Sequence, residues 1–138
     1  MSIHIPLAPV AGSQDKSSQV IERAELEAFS RLVSATAADV ETDEISGGSR
    51  ETDPFVSNLF MVGIIGGRLN SQSARLGSEC INLHFEFLAP IHCGDRIDTT
   101  IELASADTIK HLATYRVDCF NQAKEQVITG QAVMILPR

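Results

Sequence analysis

Two rhythms divide the chain. Through residue 77 the apolar positions recur at three- and four-residue steps, and beyond it they recur at every second residue. The first rhythm predicts a helix over 23–33, where Leu26, Phe29, Leu32 and Val33 share a face and Glu22, Glu25 and Glu27 sit near the positive end of the helix dipole. It predicts a second helix over 55–77. There Leu59, Met61, Val62, Ile64, Ile65 and Leu69 occupy most of the circumference, the pattern of a helix surrounded by other structure. Gly63, Gly67 and Ser71 stand four apart, as do Gly66, Asn70 and Ala74, which predicts strips where another backbone comes close. Gly77 fits a left-handed cap. Next, Ile81, Leu83, Phe85 and Phe87 alternate with Asn82, His84 and Glu86, a strand with one buried face. Further strands follow at 97–103, 109–120 and 126–136, with turns at 89–95, 105–108 and 121–125. One buried helix followed by four hairpin-linked strands predicts an α+β domain, an antiparallel sheet wrapped around a central helix.

The remaining segments are less regular. Residues 1–16 read as an N-terminal tail with a short edge strand at Ile3–Leu7, and residues 17–138 as the domain. Residues 34–54 hold six acids and one base around the flexible stretch at 46–48. Such a charge run reads as a solvated loop, yet a loop this long between two helices is often functional.

Length and charge narrow the classes. At 138 residues the chain makes one domain with a core of its own. A net charge of −7 disfavours nucleic acid or an anionic membrane as partner, while leaving room for a phosphorylated small ligand. Cys80, Cys93 and Cys119 are widely spaced and form no metal-ligand pair, so they read as reduced thiols of a cytoplasmic protein. The first residues lack the basic start of a secretory signal, and no stretch has the ~20 apolar residues of a membrane span. The four histidines show no metal-ligand spacing, and neither a metal nor another cofactor is expected.

Several segments, in order, resemble the MaoC-like (R)-specific enoyl-CoA hydratase and acyl dehydratase branch of the hotdog superfamily. Residues 21–35 are similar to that family's opening helix. FMVGIIGGRLNSQSA at 60–74 is similar to the start of its central helix, where the family carries His-Gly-Met. FEFLAPIHCGDRI at 85–97 and TGQAVMILPR at 129–138 resemble its strand pair and its closing strand. The resemblance covers residues 18–138 and implies a single hotdog domain. It also implies an acyl-CoA or acyl-carrier-protein thioester as substrate, and a dimer, either of identical chains or with a second hotdog chain.

In that family the loop after the first helix carries Asp-x-Asn-Pro-x-His, whose two ionisable groups add water across an enoyl thioester. Laid over this chain, the Asp falls on Thr36 and the His on Glu41, and the His of the central helix falls on Val62. Glu41 and Glu44 are then the candidate carboxylates. Val62, Gly63 and Ile64 are the candidate thioester-binding residues, placed by the resemblance at the helix start whose free amides face the thioester oxygen. A second likeness, FMVG followed by INLH, is to fluoroacetyl-CoA-type thioesterases and implies Thr36, Glu44 and His84 as a hydrolytic set. His84 also reads as a plain surface residue, since it shares parity with Asn82 and Glu86. With the family's Asp and His absent, a non-catalytic subunit paired with an active hotdog chain is the third reading.

Overall fold

The computed structural model describes residues 11–33, 54–76 and 79–136. Seven elements follow in chain order: β1 (Gln14–Val20), α1 (Arg23–Val33), α2 (Pro54–Leu76), β2 (Glu79–Phe87), β3 (Arg96–Asp107), β4 (Leu112–Phe120) and β5 (Gln126–Ile135). The strands form one antiparallel sheet in the order β1-β3-β4-β5-β2.

The period-two pattern directs the inner face of this sheet. Ile97, Thr99, Ile101 and Leu103 of β3 are buried, as are Ala113, Tyr115, Val117 and Cys119 of β4, while the residues between them stay more open. Helix α2 lies on this face. Met61 and Ile65 are wholly buried and Leu69 nearly so, which makes one stripe at four-residue steps. Val56 and Phe60 form a neighbouring stripe, and the Phe60 ring meets Phe29 of α1 edge-on, with centroids 5.7 Å apart. On α1 the buried positions are Leu26 and Ser30, whereas Leu32 and Val33 are exposed at its end.

The structure departs from the sequence reading in three places. First, the strand at the β1 edge is Gln14–Val20, opening inside the segment read as a tail; Ile3–Leu7 lies outside the described residues. This strand has no apolar alternation. Pairing with β3 holds it, along with the side chain of Asp15, which accepts two hydrogen bonds from Arg68 Nη2 at 2.6 and 2.7 Å and one from Nε at 3.2 Å. The Ser18 hydroxyl hydrogen bonds to Asp98 across the same strand pair and, with Arg96, holds the Asp98 carboxyl below its usual range against the opposing effect of desolvation.

Second, β2 and β3 are not a hairpin. β2 pairs with β5, so the segment between β2 and β3 crosses from one side of the sheet to the other. Leu88 N–H prolongs the β2–β5 ladder by donating to Val127 O at 2.9 Å. The crossing then binds the entry to α1: Gly94 N–H donates to Ile21 O at 2.7 Å, and Ile21 N–H donates to Asp95 O at 2.8 Å. Gly94 has φ 94°, a conformation that suits a residue without Cβ.

Third, the strip of Gly63, Gly67 and Ser71 on α2 meets no backbone among the described residues. Gly63, Gly67 and Ser71 are exposed, and no described atom lies within 4 Å of a Cβ built on Gly63, Gly66 or Gly67. Side chains such as Ile65 and Leu69, rather than bare backbone, carry the contact between α2 and the sheet.

Candidate functional site

Helix α2 begins at Pro54, a residue suited to the first helical position because its missing N–H has no bond to make there. The backbone amides of Phe55 and Val56 follow with no helical carbonyl a turn earlier to bond, so they carry the positive end of the dipole. This corrects the placement of Val62, Gly63 and Ile64. They lie two to three turns inside the helix, where amides are spent on the carbonyls four residues before. Val62 and Ile64 are half-buried and Gly63 is exposed. The start of the helix, with the positive end of its dipole, is at residues 54–57.

Two polar side chains stand at this end. Ser57 is completely buried, and its Oγ finds no hydrogen-bond partner among the described residues. Asn58 is half-buried, and its Oδ1 is likewise without a partner. Ser57 heads the stripe continued by Met61 and Ile65. Sequence reasoning missed both residues because their helix reads as apolar all round. The available signal was the Ser-Asn pair interrupting the run FVSNLFMV three and four residues after Pro54.

The contact of Phe29 with Phe60 sets α1 beside the first turns of α2. The segment carrying Thr36, Glu41 and Glu44 leaves from the end of α1 and returns to Pro54. These three residues lie outside the described residues.

His84 is on the other face of the sheet. It lies opposite Gln131, which lies opposite Arg116, and all three are exposed. With Glu86, whose Oε2 is 3.9 Å from His84 Nε2, they line an open depression of about 320 Å³. Phe85, the next residue, packs against the core. The structure thus separates His84 from the start of α2 by the thickness of the sheet.

A smaller recess of about 80 Å³ opens between α2 and β2, lined by Gly66, Leu69, Asn70, Cys80, Leu83 and Met134. It is largely apolar, and Gly66 lies nine residues beyond Ser57, or roughly 13 Å along the helix. Of the thiols, Cys80 is exposed and Cys119 buried. Burial pushes Cys119 up to about 11, against a weaker opposing pull from the Thr99 hydroxyl 3.3 Å away. It is a core residue.

The chain is similar to known proteins along most of its length. No protein-family model matches it. The curated (R)-specific enoyl-CoA hydratase of Aeromonas caviae is 27% identical over 84 residues, which is 61% of this chain and 63% of that protein. The solved structure of an A. caviae (R)-hydratase involved in PHA biosynthesis superposes with a TM-score of 0.72, covering 94% of this chain and 98% of that one at 22% identity. This is a hotdog fold. The ChsH1–ChsH2 complex of Mycobacterium tuberculosis shares it (TM-score 0.69, 11% identity, 93% of this chain and 98% of that one). So does a fluoroacetyl-CoA-specific thioesterase with fluoroacetate and CoA bound (TM-score 0.68, 16% identity, 94% and 95%). The resemblance to the (R)-specific hydratase branch, read from residues 18–138, agrees with the curated relative and with the structural neighbours. The hotdog places α2 as its central helix. No helix among the described residues is long and apolar enough to cross a membrane.

Proposed function

We propose that this hotdog chain acts on acyl thioesters of CoA or of carrier-protein pantetheine, adding or removing water at the bond conjugated to the thioester. The observation that carries this reading is likeness to (R)-hydratases, in sequence over 84 residues and in fold over 94% of the chain. The start of α2 supports it, because unspent amides at a helix N-terminus stabilise the negative charge that develops on a thioester oxygen during addition. Glu41 and Glu44 take the place of the absent Asp and His, a carboxylate being able to activate water as general base. The apolar recess by Leu69 and Met134 suits an acyl chain.

The chain works as a two-fold dimer through β2, with a second hotdog chain as the alternative partner. That alternative is favoured by one specific observation: the positions of the family's Asp and His are occupied by Thr36 and Glu41. A chain so altered fits a structural subunit completed by an active one.

A panel of enoyl-CoA substrates tests the reading, followed both at the enone absorbance and with a thiol reagent. Hydration consumes the conjugated bond and leaves the thioester intact, whereas hydrolysis releases a thiol. Loss of enone with no thiol, abolished by Glu41→Gln or Glu44→Gln, is the expected result. Thiol release abolished by Glu44→Gln and His84→Ala would replace it with the thioesterase reading. Neither signal above the uncatalysed rate leaves the paired, non-catalytic subunit.

A further inference from the structure

We infer that Ser57 and Asn58 are ligand-binding side chains that read the thioester linkage itself: Ser57 Oγ–H donates to the acyl carbonyl oxygen, and Asn58 Oδ1 accepts from the first amide N–H of the pantetheine arm. This rests on the thioester reading above and names the groups of this chain that recognise the linkage.

The argument starts from what these atoms lack. A buried polar atom without a partner is costly, and such groups in a folded protein call for an occupant or a role. Here two occur in succession, Ser57 Oγ and Asn58 Oδ1, and Ser57 is 0% exposed. They follow directly on Phe55 and Val56, whose amides have no helical carbonyl a turn earlier to bond, at the start of a 23-residue helix. By contrast, buried Thr99 pairs with Cys119, and Asn121 closes its own turn by accepting from Ala123 and Glu125 N–H at 2.9 and 3.0 Å.

The unmet capacity also has a definite character. Ser57 offers a proton and Asn58 offers an acceptor, so together they want a molecule with a carbonyl oxygen and an N–H nearby. A pantetheine thioester has both, the amide two methylenes beyond the sulfur. Away from water, a hydrogen bond to the carbonyl is stronger than at the surface. Ser57 adds a side-chain donor to the amides of Phe55 and Val56.

The test compares hexanoyl-CoA with its thioether analogue S-hexyl-CoA, which lacks only the carbonyl oxygen, by calorimetry on the full chain. The wild type is expected to prefer the thioester by about tenfold. Ser57→Ala is expected to cut that preference to about threefold, the backbone amides remaining, and Ser57→Thr to keep it. Asn58→Ala is expected to weaken both ligands equally, since both carry the amide N–H. Thermal melts serve as the second measurement. Ser57→Ala leaves no partner behind, so its melting temperature should equal or exceed that of the wild type. An unchanged preference in Ser57→Ala, or a wild type binding both ligands equally, overturns the inference and leaves the thioester reading standing. A lowered melting temperature in Ser57→Ala reveals a structural hydroxyl and overturns it too. Binding of neither ligand by the wild type removes both.

Discussion

Phe85 lies across Gly130. The two residues are paired between β2 and β5, and a Cβ built on Gly130 would run into the carbonyl oxygen of His84 and Cδ1 of Phe85. The glycine is what lets the edge strand β2 turn its phenylalanine against the core that α2 shares. Because one obstacle is backbone, a change of Phe85 rotamer does not relieve it. Gly130→Ala should therefore destabilise the fold by about 1–3 kcal/mol. The same loss should persist in the Phe85→Ala background. Urea midpoints of the four variants in this cycle check it, and full recovery in the double variant would place the obstacle in the ring alone.

Much of this architecture is written in the chain. Alternation at two-residue steps marks β3, β4 and β5 because each has one wet face. The apolar run of α2 marks a long helix, but the described residues bury one side of it only, leaving Gly63, Gly67 and Ser71 exposed. What alternation cannot carry is which strand neighbours which: β2 and β3 follow each other as a hairpin would, yet β2 belongs to β5. Strand β1 is invisible to hydrophobicity because its inward positions are Asp15, Ser17 and Gln19, chosen by ladder pairing and by Arg68. The start of the central helix was misplaced for a related reason. Gly63 resembles the family's glycine, but Pro54, the residue that sets the first turn, is the stronger physical signal of the helix start.

Gly63 gives the second prediction. It is exposed inside α2 with open space where a side chain would point. Gly63→Ala should raise stability by about 0.5–1 kcal/mol, through reduced backbone entropy in the unfolded chain. Thioester affinity should not change, since the start of the helix lies two turns away. A drop in stability, or a change in the oligomer, would mean that another chain's backbone rests on the Gly63–Gly67 strip.

The third concerns alkaline pH. Burial raises Cys119 from its ordinary 9.0 to about 11, so the folded state holds this proton more tightly than the unfolded one. The stabilisation is fully present below pH 9 and is lost as pH rises through 9 toward 11, at up to about 1.4 kcal/mol per pH unit. Burial raises Tyr115 as well, adding a similar slope only above its ordinary 10.0. Unfolding free energies between pH 8 and 10 therefore isolate the cysteine. Cys119→Ala should flatten the curve there, and an equally steep variant would move the effect to another group.

The last prediction concerns the two outer strands of the sheet among the described residues, which differ in kind. Strand β1 is short and polar and carries Lys16, a charge of the sort that discourages further pairing. Strand β2 has nine residues with neither lysine nor proline. It exposes Ile81 by 52% and Leu83 by 45%, with Phe87 and Leu88 also open beside them. A long edge with open apolar side chains is where another strand adds, and a two-fold axis through it pairs each patch with its own copy. Light scattering at micromolar concentration should give twice 14.9 kDa for the wild type. The double variant Ile81→Glu, Leu83→Glu should give the monomer, because a two-fold pairing would bring four carboxylates together in a desolvated strip. Circular dichroism on that variant separates dissociation from unfolding: retained strand signal at monomer mass assigns the interface to β2. A wild type that scatters as a monomer would leave the β2 edge waiting for a different hotdog chain, and mixing with such a chain should then double the mass.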